Sequence, residues 1–232
     1  MFSIIPLIQH SIFTLIINDK IEIPKFNKVF MTKIAWKPGT VLYPLPAVMV
    51  SMGNIPEEHN IITVSWTGTI NSDPPMLYIS VRPGRHSYEI LKKNMEFVIN
   101  LTTNDLAYAA DWCGVKSGKN LNKFREMKLT PEKAQKVKAP LIKESPMNIE
   151  CKVTQIIPLG THDMFIAKVV AVNAEESLIN EETGAFELNR AGLISYAHGF
   201  YYKQGTELGK FGFSVNKKNR WRKNKKKESG KK

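Results

Sequence analysis

The stretch NIITVSWTGTINSDPPMLYISVRPGRHSYEILKKNMEFVINL, residues 60–101, decides the fold. Residues 60–70 are rich in β-branched side chains and read as a strand. Asn71-Ser72-Asp73-Pro74-Pro75 closes it as a turn, because Asn, Ser and Asp bond their own backbone and each proline fixes φ and withholds a ladder donor. Residues 76–81 form another strand, broken by Arg82-Pro83-Gly84. Residues 86–94 read as a short helix, with Ser87 or His86 near its N-terminus and Ile90 and Leu91 as its buried pair. Residues 96–101 return to a strand.

Working outward, residues 41–52 are apolar with Pro44 and Pro46 near the start, as suits a first strand entered from irregular chain. A second helix is expected over 103–113, starting from a Thr-Asn-Asp cap region, then a glycine-containing loop over 114–118. Residues 124–138 are charged, part helix and part loop. Residues 148–157 and 163–173 alternate as two strands joined by a Pro158-Leu159-Gly160 turn. Strands at short spacing with few helices predict a mainly β barrel or sandwich and disfavour a parallel doubly wound sheet. No internal repeat is visible.

The 232 residues, 43% apolar and 23% charged, suffice for one domain with a core. The formal charge of +12 is unevenly spread. Residues 217–232 hold ten Lys or Arg against Glu228, a local charge of +9 that leaves +3 for the rest. Such a block has too little apolar surface to offset its ordering entropy, so 216–232 is expected to be a disordered basic tail. It is either a solubilising appendage or a weak tether to RNA or an anionic surface. Residues 1–30 are apolar but interrupted by Pro6, Gln9, His10 and Ser11, with no basic flank ahead of them. They fit neither a membrane span nor a signal peptide. They are expected to be an extension, disordered or not native, ahead of a domain over 31–215 that opens at Met31. Cys113 and Cys151 are too few for a disulfide framework, and no CxxC or Cys/His cluster marks a metal site. A reducing, cytoplasmic setting without membrane association is expected.

Two segments carry candidate chemistry. If 63–70 is one strand, Thr63, Ser65, Thr67 and Thr69 form a hydroxyl row on one face, opposite Val64, Trp66 and Ile70. Such a row suits a polar ligand, and Gly68 within it suggests a bulge or a close approach to backbone amides. The plainer reading is that Thr and Ser have high β propensity on a solvated face. Arg82-Pro83-Gly84-Arg85-His86-Ser87 brings two arginines, a histidine and a hydroxyl to a helix start, where free N–H groups favour an anion. That is a candidate phosphate cradle, or else an ordinary cap with exposed arginines. Neither GxxxxGK[ST] nor GxGxxG is present, which disfavours a P-loop or Rossmann site.

In this order, the pieces resemble the flavin reductase-like family, most closely its flavoredoxin branch. The resemblance continues through Asp111-Trp112-Cys113-Gly114, Ser117-Gly118-Lys119, Asn148-Ile149-Glu150-Cys151 and Gly160-Thr161-His162-Asp163, covering residues 40–200. It implies a six-stranded split β-barrel of Greek-key type with a few short helices, a homodimer, and FMN, favoured over FAD as the alternative, near the subunit interface. On this chain, Trp66, Thr67, Gly68, Thr69 and Ser72 would meet the isoalloxazine and ribityl chain, largely through backbone groups. Arg85, His86 and Ser87 would meet the phosphate. Lys119 would do so too, or close the site from the partner subunit.

The implied function is an oxidoreductase that moves hydride or electrons from NAD(P)H through FMN to an acceptor, with no catalytic acid, base or nucleophile among its residues. The alternative within the fold is an electron carrier fed by a redox protein. His198 and Tyr201, in an aromatic segment over 195–202, are candidates for the substrate side. Cys113 and Cys151 read as structural, and His162 as a turn residue. A nucleic-acid-binding barrel is the distant rival. It predicts basic residues interleaved with aromatics on a strand face, and residues 63–70 contain no Lys or Arg.

Overall fold

The computed structural model describes residues 32–215; the expected N-terminal extension, its boundary at Met31 and the basic tail over 216–232 lie outside the described residues. By internal contacts the chain divides between Thr40 and Val41, and among the described residues all regular structure belongs to the second unit.

After the short strand β1 (Leu45–Pro46) come β2 (Val48–Met52), β3 (Asn60–Val64), β4 (Thr67–Ser72) and β5 (Pro75–Val81). Helix α1 (His86–Asn94) and β6 (Glu96–Leu101) follow, then α2 (Ala107–Val115) and α3 (Lys123–Glu126). The pair β7 (Pro131–Glu132) and β8 (Leu141–Ile142) precedes the long strands β9 (Met147–Pro158) and β10 (Asp163–Ala174). A hairpin of β11 (Ile194–Ala197) and β12 (Phe200–Lys203) ends the regular structure. The main sheet is antiparallel with order β3-β2-β6-β9-β10-β5-β4, and β1 joins the closing hairpin in a second sheet, β1-β11-β12.

Alternating side chains build the main core. Val48, Val50 and Met52 of β2 meet Ile62 and Val64 of β3, Leu77, Ile79 and Val81 of β5, Phe97 and Ile99 of β6, and Phe165 of β10. Strands from opposite ends of the sheet order thus share one interior, so the sheet is curled into a barrel. Ser80 N–H donates to Trp66 O at 2.9 Å, tying β5 to the corner between β3 and β4. Two register shifts along β9–β10 supply the bending that curling requires. The second face of β2 and β3 is covered as well: Met49 and Ile61 pack against Ala109, Ala110 and Cys113 of α2 and against Phe124 of α3. That double burial is why β2 is apolar at every position but Ser51.

The mainly β class, α1 and β6 agree with the sequence reading. The strand expected over 60–70 is instead two strands that part at Ser65 and Trp66. Their sheet neighbours differ, β2 for one and β5 for the other, so the hydroxyl row does not exist as one face. This split accounts for seven strands in the main sheet where six were expected. The irregularity in β4 falls between Thr69 and Asn71, beyond Gly68. A Cβ on Gly68 would stand 3.3 Å from Cε1 of Tyr78, so a cross-strand ring explains that glycine. The expected first strand is interrupted between β1 and β2. Helix α2 begins at Ala107 and carries Gly114 within it, because Thr103 first bridges to Leu193. In α1 the buried residues are Ser87, Tyr88 and Leu91, with Ile90 only partly covered.

Candidate anion cradle at the start of helix α1

Helix α1 leaves β5 through Arg82-Pro83-Gly84, with Arg85 as its extended N-cap residue. No side chain caps this end, so the first-turn N–H groups of His86 and Ser87 face outward along the axis. They open onto a pocket of about 110 Å³ lined by Arg85, His86, Ser87, Cys113, Ser117 and Lys123, among others. At about 30 Å³ per water, this is room for a phosphate-sized group. Val115 ends α2, and Lys116, Ser117 and Gly118 form the opposite wall.

The least expected member is Lys123. It is only 3% exposed, and its ammonium donates to Ile61 O and Cys113 O, each at 2.7 Å. An ammonium has three donors, so one remains for the pocket that Lys123 lines. Burial pushes the amine down to about 8, against the pull of Cys113 and with the repulsion of Arg85 added. The lining residues include no carboxylate, and the ion pairs among the described residues (Lys93–Glu58, Arg125–Glu126 and Arg190–Glu187) lie elsewhere. A buried cation without a counterion is costly, and the cradle is therefore built for an anion.

Behind Ser87 stands Asn60, 3% exposed, whose Nδ2 donates to Ser87 Oγ at 2.8 Å. Its Oδ1 is buried with no hydrogen-bond partner among the described residues. Gly118 lies so close that any Cβ there would strike the Asn60 carboxamide. Burial pushes the Cys113 thiol up to about 11, partly offset by Lys123, and burial with the neighbouring Glu150 raises Cys151 further. Both are free, buried, protonated thiols without reactive character.

The structure gathers Arg85, His86 and Ser87 at this pocket. Lys119 is exposed in the same loop, its N–H donating to Ser117 Oγ at 3.2 Å, and is not among the lining residues. Trp66 ends the corner before β4, with its ring 4.4 Å from that of His162. Burial and Arg82 hold the His162 imidazole below its usual range. Thr67 is buried and its hydroxyl donates to Tyr78 O at 2.6 Å, so only its backbone is free for other work. Thr69 and Ser72 are exposed on β4, whose only strand partner among the described residues is β5. Ser72 pairs with Pro75 at the end of β4 away from Trp66.

His198 and Tyr201 sit on the β11–β12 hairpin and do not line the pocket. His198 is exposed in a left-handed turn (φ 49°), its ring 5.9 Å from Tyr43. Tyr201 is half-buried near Asp111 of α2. Burial, then that carboxylate, push its phenol up to about 12.

Sequence reading missed Lys123 and Asn60. The available signal was Asn122, whose Oδ1 caps α3 by accepting from Arg125 N–H at 3.1 Å. That cap starts a helical turn whose next two residues, Lys123 and Phe124, both turn inward.

A family model, the flavin reductase like domain, matches residues 40–201. An uncharacterised protein of Pyrococcus abyssi is 32% identical over 157 residues, covering 68% of this chain and 90% of that one. Flavoredoxin of Desulfovibrio vulgaris (Miyazaki F) superposes with a TM-score of 0.73 at 30% identity, over 79% of this chain and 99% of its own. The FMN-binding protein from Thermus thermophilus shares the fold at TM-score 0.65 and 23% identity, over 78% of this chain and 99% of its own.

Proposed function

Because the chain belongs to the flavin reductase like domain family, we propose that it is an FMN-binding oxidoreductase that transfers hydride or electrons from NAD(P)H through the flavin to an acceptor. The observation that carries the reading is the cradle at α1: free N–H groups, Arg85 and a buried lysine surround a phosphate-sized pocket with no carboxylate. FMN ends in a phosphomonoester, and similarity to an FMN-binding protein of the same fold favours it over FAD.

In this reading Arg85 and the N–H groups of His86 and Ser87 hold the phosphate by charge-assisted hydrogen bonds. The backbone from Trp66 through Thr69, with Ser72, orients the planar ring system along the open edge of β4. Lys119 closes the site across a homodimer interface, and His198 and Tyr201 serve the substrate side. FMN, when bound, supplies the redox chemistry. The chain positions it, excludes water and need not provide an acid or base. Two buried free thiols accord with a cytoplasmic setting.

A second reading, a carrier reduced by a protein donor, is favoured by the likeness to flavoredoxin. The visible spectrum after FMN loading and desalting, followed by anaerobic NADH or NADPH, separates the two. Retained flavin bands bleached rapidly by a nicotinamide support the reductase. Retained bands that stay oxidised support the carrier, and no retained flavin together with weak flavin titration rejects both.

A further inference from the structure

Resting on the second reading above, a flavin carrier reduced by a protein donor, we propose that the outer face of β9 and β10, centred on Lys152 and Lys168, docks a small acidic electron-carrier protein beside the flavin. The pleat of the strands puts both lysines on that face. Cys151 and Val153 of β9 and Ala167 of β10 point into the core, so Lys152 and Lys168 point out, and both are exposed. They are direct cross-strand partners. Like charges so placed repel and weaken a sheet, and neither lysine has an ion-pair partner among the described residues. The nearby acids do not relieve the repulsion. Glu96 of β6, the other register partner of Lys152, accepts from Lys138 N–H at 2.6 Å, and the buried Glu150 accepts from the N–H groups of Gln135, Lys136 and Val137. Those bonds also bring the exposed Lys136 and Lys138 to the border of the same face.

The register also ties this face to the edge where the flavin ring is proposed to lie. Lys168 stands opposite Met76 of β5, and Met76 stands opposite Asn71 of β4. Neighbouring strands are about 4.8 Å apart, so Lys168 is about 10 Å from the open edge of β4 along the sheet, and Lys152 one strand further. Met76 and Ile166, both half-buried, supply apolar surface beside Lys168. Apolar contact bordered by unpaired charge suits a small, transient complex steered by electrostatics. RNA would share the charge, but nearness to the flavin edge favours a redox protein. Each donor is oxidised by one electron. Two successive encounters deliver two electrons, and two protons from solvent complete the reduction of FMN to FMNH2.

The test uses the full chain loaded with FMN, and a photoreduced acidic [2Fe–2S] ferredoxin as donor in anaerobic stopped flow. The rate of flavin reduction should fall as salt is added, as steered association does. Lys152→Glu with Lys168→Glu should lower the second-order rate roughly 10- to 100-fold and leave reduction by dithionite unchanged. The basic residues 217–232 are common to parent and variant, so they cannot produce that difference. Lys152→Gln with Lys168→Gln, which removes the charges without reversing them, should lower the rate several-fold and decides the matter if the reversed protein does not fold. A parent rate that ignores salt, or a folded variant within about twofold of the parent, overturns the docking face. The latter result together with lost affinity for polyuridylate assigns the lysines to RNA and overturns it equally. Rapid bleaching by NADPH rejects the carrier reading alone, and the ferredoxin rates still decide the face. If the chain retains no flavin, the flavin reading fails, and calorimetric titration with oxidised ferredoxin decides instead. Salt-sensitive binding that the variant loses keeps the face, and binding that is absent or persists in the variant ends it.

Discussion

Glu150 is fully buried in β9, yet it is an ionised carboxylate with a full set of donors. Gln135 N–H (2.9 Å), Lys136 N–H (2.6 Å), Val137 N–H (3.2 Å) and Asn173 Nδ2 (2.8 Å) all donate to it. Burial alone would raise its pKa, but these donors, Asn173 foremost, outweigh burial and hold it below the usual 4.5. The folded carboxyl therefore binds its proton less tightly than the unfolded one. The stability it contributes is complete above the unfolded value and drains away as pH falls through the folded one. Glu150→Gln keeps the shape, loses the charge and turns one end into a donor facing donors. It should cost about 2 to 4 kcal/mol at neutral pH, for several charge-assisted bonds lost and a clash gained. Urea denaturation should show the gap between mutant and parent narrowing as pH is lowered below about 4.

Among the elements, β4 and β5 illustrate what pattern alone conveys and what it does not. The run MLYISV was legible as a strand, and in β5 Leu77, Ile79 and Val81 face inward, because one face is buried and the register is thereby fixed. No such constraint marks the break at Ser65 and Trp66. Both flanking segments have strand composition, and only barrel closure, with Ser80 N–H reaching Trp66 O, separates them. The cradle was likewise half legible. Arg85, His86 and Ser87 are contiguous and announce a helix start, whereas Lys123 reaches the same pocket from 36 residues beyond Ser87 in a stretch that reads as surface charge. Lysine is almost never fully buried unless paired, so composition argued against a residue that the fold leaves only 3% exposed. The Gly68–Tyr78 contact yields an element-level prediction. Gly68→Ala should lower stability by about 1 kcal/mol, the lower end for overpacking. In a Tyr78→Ala background the same change should be neutral or favourable, and a double-mutant cycle on thermal unfolding would measure the coupling.

For the whole molecule, the charge distribution separates two properties that a single pI conflates. Residues 217–232 carry +9 of the +12, while the candidate site lies wholly within residues matched by the family model. Deleting 217–232 should therefore leave FMN affinity within about twofold and abolish any affinity for polyanions such as RNA, as a filter-binding assay beside the flavin titration would register. The free side of β4 has a different consequence. Its outer N–H and C=O groups face no neighbouring strand among the described residues, Ile70 beside them is 48% exposed, and TGTINS holds no charge to repel another chain. A bare edge of this kind is a template for aggregation, and Asp73 with Pro74 and Pro75 at its end are the gatekeepers that limit it. If the flavin ring occupies that edge, the cofactor is also the protein's solubilising cover, and colloidal stability in the cell becomes tied to flavin supply.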